Sequence, residues 1–172
     1  MKTENSDETN RKVIKLYCWG LMVLSVVIWF SHVFISNSFL GMVNLKYLTR
    51  MFDPPLEINF VLFFTANIIE FILCALIFFA SIFVLEFKNK WRLFLIIILF
   101  LSIVFVLISP VLYDLVYPSN HVFSYGSPDS YPVNLPRKTI MIWSYIRSII
   151  LSTFFLIIIR KLRDKNTIIL FR

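Results

Sequence analysis

Charge is scarce in this sequence: Asp, Glu, Lys and Arg make up 16% of its 172 residues, against 59% hydrophobic and 17% aromatic. A soluble domain has no way to bury that much apolar surface, so an ordinary globular enzyme is excluded. Glycine is rarer still, with 3 in the chain, and no G-x-S-x-G occurs, which removes the hydrolase nucleophile turn. Alanine is absent before Ala66. The apolar run that follows the basic N-terminal segment therefore carries no A-x-A cleavage site, and is also too long for a signal peptide; it reads as a retained anchor helix. The 2 cysteines, Cys18 and Cys74, lie inside apolar segments without CxxC or metal spacing, and read as small packing residues. No N-x-[ST] acceptor is present.

What fills the chain instead is four long apolar runs, at residues 16–35, 59–86, 93–113 and 139–159. Each is long enough to cross a hydrocarbon core of ~30 Å as a helix. The second run, Asn59 to Glu86, would be ~42 Å long and must tilt or protrude. Its Phe, Ile, Leu and Val residues supply roughly −5 to −11 kcal/mol on the insertion scale, and one central charge costs roughly 2.5–3.5 kcal/mol. It therefore spans despite Glu70. The third run has no charge, and Pro110 near its end is tolerable if a neighbour satisfies the carbonyl that the proline frees.

Between the runs, residues 1–12 read as a disordered polar tail and residues 36–58 as a loop. Phe39 to Phe52 carries a short amphipathic pattern, ended by Asp53-Pro54-Pro55. Lys88-Asn89-Lys90-Trp91-Arg92 is a tight basic turn with Trp91 as an interfacial anchor. Residues 114–138 form a second loop, its Pro118, Pro128, Pro132 and Pro136 opposing a long helix. Asp114, His121 and Asp129 within it match no metal spacing, and Tyr113, Tyr117, Tyr125 and Tyr131 suit a docking surface. Residues 161–172 read as a basic tail.

The net charge of +7 is a topology signal, not a nucleic-acid signal. Twelve of the 17 Lys and Arg fall in the N-terminal tail, the 88–92 turn and the C-terminal tail, and four fall in the two other loops. With four spans these groups lie on opposite sides, and the positive-inside bias places both termini in the cytoplasm. Contact with anionic lipid is a secondary use of the same charges.

Polar and small residues fall on stripes at helical spacing: Asn59, Ala66, Asn67, Glu70, Cys74 and Ser81 in the second run, Ser144, Arg147, Ser148 and Ser152 in the fourth. Cys18, Ser25, His32 and Ser36 mark the first run, and Ser102 and Ser109 the third. Glu70 lies ~16 Å and Arg147 ~11 Å from the outer end of their helices, close enough in level for a pair. One reading makes Glu70 and Arg147 a polar clasp that fixes helix register, with Asn67 satisfying a leftover lone pair. A second makes Glu70, Arg147, Asn67 and His32 a proton- or ligand-binding cluster, and a third turns the charges toward another subunit. His32, alone near an interface, is expected to be incidental.

Glu70 with Cys74-Ala75 after it, and Lys90-Trp91-Arg92 before the third run, resemble small enterobacterial inner-membrane proteins of the YbjO type, over residues 40–95. That resemblance implies a four-span inner-membrane protein and carries no activity. Asn67-Ile68-Ile69-Glu70 is similar to the Asn-x-x-Glu of glutathione-using four-span enzymes, but the accompanying arginines are missing from the second run. Small multidrug exporters carry their Glu in the first helix and are shorter.

The expectation is an all-α integral membrane four-helix bundle with both termini cytoplasmic, multi-pass in a bacterial inner membrane. Its expected role is non-enzymatic, an interaction or accessory protein held together by the Glu70–Arg147 pair. The alternative is a proton-coupled small-solute transporter that titrates Glu70. No cofactor, metal or nucleic acid is expected; the partners are the lipid bilayer and other membrane proteins.

Overall fold

A computed structural model of the chain describes residues 2–49, 60–116 and 137–171, with side chains described over 7–31, 61–112, 115 and 141–171. Among these residues the chain is helical, with no strand: α1 Lys2–Thr49, α2 Phe60–Val84, α3 Asn89–Val116, α4 Arg137–Arg163 and the short α5 Lys165–Ile168. Four helices are long and apolar enough to cross a membrane, over Asp7–Ser31, Val61–Val84, Asn89–Leu112 and Met141–Arg163. Their outer faces carry large apolar side chains, such as Leu16, Val61, Phe100 and Ile150, with more than half of their surface exposed. A face of that kind suits hydrocarbon and not water.

The helix boundaries differ from the sequence reading at the N-terminal end. α1 is continuous through the expected tail and past Ile35, where a loop was anticipated. No proline precedes Pro54, and a lone Gly41 costs a helix only about 1 kcal/mol, so nothing local stops it. Lys12 and Glu8, one turn apart and exposed, pair at 2.8 Å within the segment expected to be disordered. The amphipathic stretch after Phe39 continues this helix as far as Thr49 with its side chains undescribed, and the Asp53-Pro54-Pro55 stop lies outside the described residues.

The α2–α3 connection is tight. Leu85, Glu86 and Phe87 each donate a backbone N–H three residues back, at 3.1, 3.2 and 2.9 Å. Phe87 then turns the chain with φ 55, a left-handed conformation that costs a side-chain-bearing residue about 1–2 kcal/mol. Its ring offsets that strain by packing 5.4 Å from the Phe171 ring and lying 5.2 Å beneath the Arg11 guanidinium.

Pro110 inside α3 removes the N–H that would bond to Val106. Ser109 Oγ donates to that same Val106 carbonyl at 2.8 Å, so the neighbour required by a proline at this depth is the residue beside it.

The helices pack in chain order, α1 on α2, α2 on α3 and α3 on α4, while α1 and α4 touch only lightly. The core gathers Ile14, Cys18 and Leu21 of α1 with Ala80 and Val84 of α2, Leu95 and Leu99 of α3, and Ile158 and Leu162 of α4. The start of α1 therefore lies beside the end of α2, which is an up-down-up-down arrangement. This end also holds the 88–92 turn and the tail, and is called the basic end below.

Candidate functional site

Part of each stripe of small and polar residues faces inward. Cys18, Ser25, Cys74, Ser81, Ser102, Ser148 and Ser152 are all buried. Most of the hydroxyls turn back onto their own helices: Ser81 to Ile77 O at 2.7 Å, Ser102 to Ile98 O and Ser148 to Ser144 O at 2.8 Å. A serine whose proton is spent on the preceding turn acts as a small packing residue, and its hydroxyl is not poised as a nucleophile. Ser152 Oγ is buried without a partner among the described residues.

The charged pair is arranged differently from the clasp. Glu70 is half-buried on α2, one turn from Asn67, whose Nδ2 donates to Phe63 O at 2.7 Å. Arg147 is exposed on α4, among exposed Trp143, Tyr145, Ile146, Ile149 and Ile150. α4 rests chiefly on α3, and α2 packs on α3 and α1, so the two helices that were to be clasped are not principal neighbours. The ion pairs among the described residues are Lys12–Glu8, Lys88–Glu86 and Lys161–Asp164, all toward the basic end. His32 stands on α1 with its side chain outside the described residues, as are the loop residues His121 and Asp129.

The denser constellation is at the basic end. Arg92, at the start of α3, is buried. Its Nη1 donates to Leu162 O of α4 at 2.8 Å, while Nε and Nη2 donate to Asn89 Oδ1 at 2.9 and 2.7 Å. Leu162 contributes one of the last carbonyls of α4, which have no partner within the helix. The guanidinium also lies 5.7 Å over the Phe171 ring. Trp91 beside it stacks on Phe83 at 4.3 Å with a 16° interplanar angle and meets Phe94 edge-on at 5.9 Å, so the half-buried ring packs within the bundle at this end.

Residues 161–172, expected as a plain basic tail, are folded through 171. Asp164 caps α5 by accepting from Asn166 N at 3.3 Å. Thr167, Leu170 and Phe171 are buried against the bundle. The apolar Ile168-Ile169-Leu170-Phe171 after a charged stretch was the sequence signal for this docking, and Asn89 three residues before Arg92 was the signal for the guanidinium's acceptor. Lys161 closes the arrangement, donating to Asn10 of α1 at 2.8 Å and lying 3.6 Å from Asp164.

No family model, curated protein or solved structure matches this chain.

Proposed function

We propose that this chain is a small multi-pass inner-membrane protein of non-enzymatic role, which associates with another membrane protein through the outer face of α4, both termini lying in the cytoplasm. The YbjO-type resemblance points to the same class. The carrying observation is the position of Arg147, exposed on α4 within the apolar run of residues 139–159. A charged side chain about 11 Å into a span is costly against lipid, and polar contact with a neighbouring helix offsets that cost. A clasp with Glu70 inside one chain is not carried into this reading, because α4 turns the guanidinium outward.

A photo-crosslinking residue at Ile146, in full-length protein in native membranes, tests the reading. A discrete adduct is expected that vanishes in Arg147→Gln, while the same probe at exposed Ile108 of α3 captures nothing. Equal labelling at both positions, unaffected by Arg147→Gln, would remove the proposal. A pH-dependent solute flux abolished by Glu70→Gln in a normally folded protein would put the transporter reading in its place.

A further inference from the structure

The lightly packed seam between α1 and α4 opens at the basic end into a groove of ≈ 810 Å³. That volume lies within the ~300–1,000 Å³ typical of small-molecule sites. We propose that the groove is a binding site for one anionic glycerophospholipid of the leaflet at the basic end. The proposal rests on the membrane location of the four helices and not on any partner at Arg147.

The groove is amphiphilic along the bundle axis. Its deeper wall is Tyr17 of α1 with Leu156 and Ile157 of α4, both of the latter about half exposed. Its mouth, one to two turns further on, is Arg160, Lys161 and Arg163 of α4 with Asp164 at the α5 cap. The span ends at Arg163, so the mouth stands where hydrocarbon gives way to headgroups and the wall stands where acyl chains begin. A zwitterionic lipid would fit the wall equally well, so the mouth decides the headgroup.

Three cations and one carboxylate leave the mouth positive. Lys161 is committed to Asn10 and Asp164, and Asp164 to Lys161 and the α5 cap. Arg160 and Arg163 are exposed, with no protein partner among the described residues. Their planar forks match the non-bridging oxygens of a phosphodiester. A phosphate there would add a charged tie to a seam that the protein holds through α5, the Lys161–Asn10 hydrogen bond and light direct packing of α1 on α4.

Full-length protein in phosphatidylcholine nanodiscs, titrated with phosphatidylglycerol and read by native mass spectrometry after mild release, provides the test. The expected result is one phosphatidylglycerol retained in clear preference to phosphatidylcholine. Arg160→Gln with Arg163→Gln should reduce retention by roughly tenfold, since each basic group near anionic lipid contributes severalfold. Lys88→Gln with Lys90→Gln, which removes equal charge at the same end away from the groove, should leave it intact. Equal loss in both pairs, or equal retention of the two lipids, would overturn the site in favour of a diffuse surface field. Displacement of the lipid by millimolar glycerol phosphate would overturn it in favour of a soluble phosphate ligand. If the arginine pair does not fold by circular dichroism, Arg160→Gln alone is read against the same criteria.

Discussion

Arg92 places its donors on two acceptors, the Leu162 carbonyl of α4 and the Asn89 side chain of its own first turn, and is buried while doing so. A hydrogen bond from a charged group contributes about 1.5–3 kcal/mol, so Arg92→Gln should lower stability by about 2 kcal/mol. Arg92→Lys should recover little, because an ammonium cannot reproduce the fork. Unfolding midpoints in mixed micelles check both. Ser152 is the opposite case. Its buried hydroxyl has no partner among the described residues, and an unsatisfied group of this kind costs about 1–3 kcal/mol. Ser152→Ala is therefore expected to unfold at a higher midpoint than the parent; a lower one would show that the hydroxyl is bonded in the membrane. In sequence both residues carried signals with other readings: Arg92 counted as a topology charge, and Ser152 as one member of a small-residue stripe.

At the scale of elements, α3 contains its own repair. Pro110 frees the Val106 carbonyl and Ser109 occupies it. Ser109→Ala should therefore cost about 1 kcal/mol in the parent and close to nothing in Pro110→Ala, where the restored N–H takes the carbonyl. A double-mutant cycle with no coupling would show the two residues to be independent. The need for such a neighbour was legible in the sequence, because a missing N–H is a local chemical fact. The docking of α5 left only the apolar run Ile168 to Phe171 as its trace; which of these residues are buried, Leu170 and Phe171, depends on what α1, α4 and the α2–α3 turn leave uncovered. Phe171→Ala should lower stability by about 3 kcal/mol, at the low end for a buried aromatic, and loosen both Phe87 and Arg92. Proteolysis at the C-terminus, accelerated in this variant but not in Ile169→Ala on the exposed side, would report that release.

For the whole molecule, the four spans and the gathering of basic residues at one end predict orientation. Reporter fusions active only in the cytoplasm should work at both termini, and addition of lysines to residues 117–136 should weaken that preference. Reporters active on opposite sides would require an odd number of crossings. That the described residues are helical, with four candidate spans, was determined by the sequence itself: runs of about 20 apolar residues satisfy their backbone groups in lipid only as helices, whatever surrounds them. The inward placement of the serine and cysteine stripes followed from helical spacing alone. Tertiary structure decided which helices are neighbours. Matching depth along two helices places Glu70 and Arg147 at similar levels, but says nothing about rotation around each axis or about which helix lies between them. Packing α4 on α3 settles both, turns Arg147 outward, and leaves the α1–α4 seam open, because side-chain shape across interfaces sets rotation and no pattern within a single helix encodes it.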